Sequence, residues 1–140
     1  MTSSVVIALG SNLGDRRLHL ARAVDALRRE LSLVRVSSIH ETEPVDAPPG
    51  SPPFLNMVVT GHTALAPLAL LDVLQSIERR LGRRRGVRNA PRTIDLDLIL
   101  HGAHRMRTKR LTLPHPRYAE REFVMKPLHE IWSAATKLPL

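Results

Sequence analysis

Two periodicities alternate along this chain, and their order is what most restricts its fold. Val5 to Leu9 is a short apolar run rich in β-branched residues and closed by Gly10, the pattern of a buried strand. GSNLGD follows at Gly10 to Asp15, where Asn12 or Asp15 can cap a helix. Leu20, Val24, Leu27 and Leu31 then recur at three- and four-residue spacing and predict a first amphipathic helix. Leu33 to Ile39 reads as a second strand and Phe54 to His62 as a third. Between them, Glu41 to Pro53 holds five prolines and a glycine, a loop too long for a simple connector. Pro67 suits the first turn of a second helix, with Leu70, Leu74, Ile77 and Leu81 as its buried face and Gly82 as its end. Arg83 to Arg92 is a basic loop, and Asp95 to Leu100 alternates as a fourth strand. Past Gly102 the signals are a turn, a short strand, a PHPR turn at Pro114 to Arg117 and a closing segment through Trp132.

Strand, helix, strand, strand, helix, strand is the split βαβ pattern. It predicts an α+β, ferredoxin-like core (βαββαβ) with an antiparallel four-stranded sheet. Both helices lie on one face, and long loops cover the other or leave it as a binding surface. The 140 residues suit a single domain, 1–140.

The strongest local signal is PRTIDLDLIL at Pro91 to Leu100. Alternate side chains of a strand share a face, so Asp95, Asp97 and Ile99 point one way and Leu96, Leu98 and Leu100 the other. The leucines pack on the helices, and two carboxylates stand about 7 Å apart at their Cα atoms on the opposite face. They repel one another unless a cation lies between them. Mg²⁺ prefers carboxylate oxygens and shares its shell with substrate phosphates, and a pair of such ions can clamp a phosphoryl group. Arg83, Arg85, Arg88 and Arg92 flank the pair with guanidiniums suited to phosphate. Without them, an Asp-x-Asp is more simply an exposed pair bridged to arginines. Phe54 and Asn56 share a face of the third strand, so either Phe54 enters the core or the two form a slot for a flat heterocycle. GSNLGD lacks a following Lys-Ser/Thr and is not a P-loop. No histidine spacing predicts zinc.

The formal net charge of +8 favours anionic partners, and the cations crowd between Arg79 and Lys109, around the aspartates. Cysteine is absent, which excludes disulfides and thiolate chemistry. The N-terminal MTSSVVIALG lacks the basic start of a signal peptide, and no apolar run approaches the roughly 20 residues of a membrane span, so a cytoplasmic protein is expected.

Taken together these segments resemble the 6-hydroxymethyl-7,8-dihydropterin pyrophosphokinases of folate biosynthesis. The likeness runs in order along nearly the whole chain: VIALGSNLGD, then ETEPV at Glu41 to Val45, FLN at Phe54 to Asn56, RNAPRTIDLDLI at Arg88 to Ile99 and LTLPHPRYAEREFVMKPLHEI at Leu111 to Ile131. It implies that ATP donates its β,γ-pyrophosphate to the pterin hydroxymethyl group and leaves as AMP. It implies two Mg²⁺ ions on Asp95 and Asp97. It places Arg83 and Arg92 where they stabilise charge in transfer, and Gln75, Glu78, Arg85, Leu98, Arg110, Thr112, His115 and Arg121 with the nucleotide, adenine meeting the Leu98 backbone. The pterin is then sandwiched between Phe54 and Phe123, with Asn56, Asp95 and the Thr42, Glu43, Pro44 and Val45 segment on its polar edge. The two loops would close over both ligands. Asp46 stands where a glycine is common, Asn89 where some members carry tryptophan, and the chain ends soon after PLHEI. By the same resemblance the protein is a monomer, and a partner enzyme of the pathway would be a separate chain.

Two rival readings use the same residues. A nucleic-acid module fits the charge and topology, but the first and fourth strands carry no stacking aromatics and an acidic pair repels phosphate unless metal intervenes. We therefore expect no nucleic-acid partner and no membrane partner. A different metal-dependent phosphotransferase or nucleotidyltransferase, or a nucleotide-binding relative without activity, shares the aspartates; AMP as product implies pyrophosphoryl transfer and ADP simple kinase action.

Overall fold

The computed structural model describes residues 1–43, 49–83 and 93–131. Five main elements follow the expected order: β1 (Ser3–Ser11), α1 (Arg16–Glu30), β2 (Ser32–Val36), then a long strand, β4 (Phe54–Thr63), and α2 (Pro67–Arg80). A short strand, β3 (His40–Thr42), precedes β4, and β5 (Asp95–His101) follows α2. The sheet runs β2-β4-β1-β5, antiparallel at every pairing, with β3 on the same edge of β4 as β2. This is the split βαβ arrangement.

Asp15 caps α1, its carboxylate accepting from Leu18 N at 3.1 Å. Pro67 opens α2 as expected. Ile7 and Leu9 of β1 and Leu96 and Leu98 of β5 pack against Leu20 and Leu27 of α1 and Leu70 and Leu74 of α2, forming the larger core. No helix among the described residues is long and apolar enough to cross a membrane.

Three expectations change. The stretch 33–39 is not one strand: β2 stops at Val36, Ser37 Oγ accepts from Val58 N at 2.9 Å, and pairing resumes at His40 and runs on into the expected loop as far as Thr42. The chain past Gly102 forms β6 (Met106–Arg107), β7 (Thr112–Leu113), a short 3-10 turn at Tyr118–Glu120 and a third helix, α3 (Glu122–Ile131). The helix packs Val124 and Leu128 on Val6, Ala8, Val58, Ile99 and Leu100, so the second face of the sheet is covered in part by a helix rather than by loops alone. Burying those two side chains stabilises by about 3–6 kcal/mol in total. Third, Leu100 does not join the leucines on the α1–α2 face. Val6 pairs with Leu100 but Ile7 with Leu98, so Ile99 is an extra residue on β5 and the alternation inverts beyond it.

Candidate active site

β1 tapers where it passes the aspartates. On the α3 face its side chains are Val6, Ala8 and Gly10, and the register sets Ala8 opposite Asp97 and Gly10 opposite Asp95. The small residues leave room in front of both carboxylates. A Cβ on Gly10 would lie 3.3 Å from Phe54 Cδ1 and 3.5 Å from Asn56 Oδ1. The space is a cavity of about 330 Å³ lined by Ala8, Gly10, Thr42, Glu43, Phe54, Asn56, Asp95, Asp97, Arg121 and Phe123, among others. Two aromatic rings thus share one slot with a buried amide and two carboxylates. Asn56 is fixed by β3, its Nδ2 donating to Thr42 Oγ1 at 2.6 Å and to His40 O at 3.4 Å. The Arg121 guanidinium lies 5.6 Å from the centre of the Phe123 ring, a cation–π distance.

A second cavity of about 300 Å³ opens beside the first. Gln75, Glu78, Leu96, Asp97, Leu98, Lys109, Arg110, Thr112 and His115 are among its lining residues. Asp97 borders both spaces. Arg110 reaches Asp72 at 2.6 Å and Gln75 at 3.1 Å. Burial is the first reason that His115 lies below the ordinary histidine range, and the nearby Arg121 charge adds to it. His115 Nδ1 donates to Pro116 O at 2.9 Å, which turns Nε2 away from that bond.

Between the cavities, Glu78, Arg83 and Asp95 form a chain. Arg83 Nη1 donates to Asp95 Oδ1 at 2.6 Å and also to Glu78 Oε2, and the same Glu78 oxygen accepts from Leu96 N at 2.8 Å. Burial raises the Glu78 pKa, against the opposing pull of the Leu96 amide and Arg83. Burial alone would lower the Arg83 pKa; Asp95 and Glu78 more than reverse that and raise it. Asp95 therefore already answers to a cation. Asp95 and Asp97 offer hard oxygen donors at one rim, and no group of three or more His, Cys, Asp or Glu side chains stands together among the described residues. Such a pair fits a divalent ion whose remaining ligands are phosphate and water.

The structure gathers Thr42, Glu43, Phe54, Asn56, Asp95 and Phe123 in the first cavity, and Gln75, Glu78, Leu98, Arg110, Thr112 and His115 around the second. Arg121, assigned to the nucleotide by resemblance, lines the first. Pro44, Val45, Arg85 and Arg92, with Asp46 and Asn89, lie outside the described residues. Sequence reasoning missed Ala8 and Gly10, although their small side chains at alternate positions of VIALG were a usable signal. It also missed the role of the turn after β1. Ser11 Oγ donates to Thr93 O at 2.5 Å, Asn12 Nδ2 to Pro52 O at 3.3 Å and Arg16 to Pro53 O at 2.9 Å. That turn fixes the strands' entry beside Asp95 and beside Phe54.

Residues 6–133 match the family model described as 7,8-dihydro-6-hydroxymethylpterin-pyrophosphokinase. A Bacillus subtilis relative named 2-amino-4-hydroxy-6-hydroxymethyldihydropteridine pyrophosphokinase is 45% identical over 139 residues, covering 98% of this chain and 83% of the relative. One of the same name from Pseudomonas aeruginosa is 43% identical, covering 94% and 82%. A mitochondrial folate synthesis bifunctional protein of Arabidopsis thaliana is 42% identical, over 94% of this chain but only 24% of the plant protein. A solved structure described as the HPPK-DHPS in complex with substrates superposes with a TM-score of 0.68 at 15% identity, over 97% of this chain and 42% of that one, which shows a shared fold.

Proposed function

The chain belongs to the 7,8-dihydro-6-hydroxymethylpterin-pyrophosphokinase family, and from that premise we propose how its two cavities divide the reaction. It transfers the β,γ-pyrophosphoryl group of ATP to the hydroxymethyl oxygen of 6-hydroxymethyl-7,8-dihydropterin, in folate biosynthesis. The new bond joins that oxygen to the β-phosphorus, the bond from the β-phosphorus to the bridging α,β oxygen breaks, AMP leaves and the hydroxyl proton passes to solvent.

The observation that carries this reading is Asp97 on the rim shared by the two cavities. The aromatic slot takes the flat pterin between Phe54 and Phe123, with Asn56 Oδ1 reading its donor edge. The polar cavity takes the nucleotide, with Arg110 and His115 at its phosphates. The acceptor oxygen and the β-phosphorus then meet at the aspartates, where orientation supplies a large part of the acceleration. Asp95 and Asp97 would hold Mg²⁺, two ions in our reading, which when bound neutralise phosphate charge and polarise the acceptor hydroxyl. Arg83, held on Asp95 at 2.6 Å, is the first candidate for stabilising the charge that develops in transfer, and Arg92 is the second. We read the catalytic unit as one domain, 1–140, acting as a monomer, with both cavities built around the one β2-β4-β1-β5 sheet.

Incubation with ATP, Mg²⁺ and the hydroxymethyl pterin, followed by nucleotide separation, tests the reaction. AMP formed only when both pterin and metal are present is the expected result. ADP as the product, or AMP independent of pterin, overturns it.

A further inference from the structure

The PLHEI motif at Pro127 to Ile131 lines neither cavity, yet its glutamate gathers more donors than any other exposed carboxylate described above. Ser38 N donates to Glu130 Oε2 at 2.9 Å, Ser38 Oγ donates to Oε1 at 2.7 Å, and His40 Nε2 also donates to Oε1. These partners, the Ser38 amide foremost and then His40, hold the carboxyl far below its usual range, at about 2. Glu130 sits at the end of α3, and Ser38 and His40 sit where β2 passes into β3.

His40 faces Asn56 across the β3–β4 pairing, and its carbonyl, with Thr42 Oγ1, orients the Asn56 amide. Phe123 stands near the start of the same α3. One wall of the aromatic slot therefore belongs to α3 and another to β3, and Glu130 ties the two elements together. We infer that Glu130 is a positioning residue that fixes the spacing between Phe123 and the Asn56–Thr42 edge, and so governs affinity for the flat heterocycle without touching it. The inference rests on the reading of this slot as the pterin site. An exposed pair of this kind adds little to stability, so its effect falls on geometry.

Two substitutions and two readouts test this. Glu130→Ala should speed amide hydrogen exchange across His40 to Thr42 about tenfold in the ligand-free protein, since β3 would open locally. It should weaken binding of the hydroxymethyl pterin, titrated by its fluorescence with Mg²⁺ and a non-hydrolysable ATP analogue present, by roughly three- to tenfold. Affinity for the ATP analogue should not change. Glu130→Gln keeps an acceptor for Ser38 and should fall between wild type and Ala. Unchanged exchange at His40 to Thr42 overturns the inference, and so does equal weakening of both ligands or a lower Tm with pterin affinity intact. Wild-type protein that binds the nucleotide analogue but no pterin would instead refute the functional reading, and the exchange measurement would still decide the tie.

Discussion

Glu78→Ala examines the link between α2, β5 and the aspartates. Glu78 is 7% exposed, and its Oε2 accepts from the amide of Leu96, itself 4% exposed. Truncation leaves that buried N–H without its acceptor, which costs about 1–3 kcal/mol. It also removes a buried methylene, about 0.8 kcal/mol. Against these stands relief from burying a charge, which the raised Glu78 pKa reports. Arg83 keeps Asp95 as a partner, so its loss is partial. The balance is about 2 kcal/mol, or a fall in Tm of about 6 °C for a chain of this size. Glu78→Gln retains an acceptor for Leu96 N, gives up only the charge and should stay within about 1 kcal/mol of wild type. The two proteins also differ in pH dependence. A carboxyl with a raised native pKa binds more protons folded than unfolded between the two values, so its contribution falls as pH rises above about 4.5. The Gln variant should therefore gain on wild type in calorimetric Tm from pH 4 to pH 7. If Gln proves as damaging as Ala, the ion pair and not the Leu96 amide carries the energy. If Ala is neutral, desolvation outweighs both and the reasoning fails.

Other expectations follow from the same geometry. Asp97→Ala should cut AMP formation to about a thousandth or less while Tm moves by only about 2 °C; near-wild-type turnover would remove Asp97 from the metal site. Gly10→Ala sets a Cβ 3.3 Å from the Phe54 ring, and equilibrium titration should show pterin affinity reduced severalfold with nucleotide affinity kept; equal losses would mean that the slot is not the pterin site. Glu130 has the opposite linkage to Glu78, because its folded pKa of about 2 lies below the ordinary 4.5. Its contribution is present above about pH 4.5 and is lost as pH falls toward 2, so the Tm gap between wild type and Glu130→Gln should close over that range. The side chain is 34% exposed, so that limb is shallow.

The apolar periodicities made α1, α2, β1 and β4 legible, because each buries a regular face on the larger core. Local signals failed where a partner decides the conformation. β3 is three residues at the mouth of a proline-rich segment and exists because β4 offers it pairing. α3 carries Pro127 within ten residues, a helix-breaking signal in isolation, yet Val124 and Leu128 pay for it by covering Val6, Ala8 and Ile99. The extra residue at Ile99 leaves no mark in an alternating string, so the side that Leu100 faces was unreadable without β1. At the site, Asp95, Asp97 and the Phe54–Asn56 pair could be proposed from spacing alone. Phe123, Glu78, His115 and Arg110 reached it only by resemblance, since they are distant in sequence and meet through the sheet. Glu130 was legible only as part of a motif, because its partners Ser38 and His40 lie 92 and 90 residues away.

The edge position of β5 explains how one strand serves both cavities. β5 pairs with β1 on one side and, among the described strands, with none on the other. Leu96 N turns outward from that pairing, since it donates to Glu78 on α2. In an antiparallel strand, backbone groups two residues on point to the same edge, so Leu98 presents its N–H and C=O toward the second cavity that it lines. Side chains leave the same strand at right angles to those groups, and Asp95 and Asp97 line the first cavity opposite Gly10 and Ala8. Backbone polarity along the edge suits the rim of a flat base, and carboxylates on the face suit cations between two substrates. β1, paired with β4 on one side and β5 on the other, has no such backbone edge to offer.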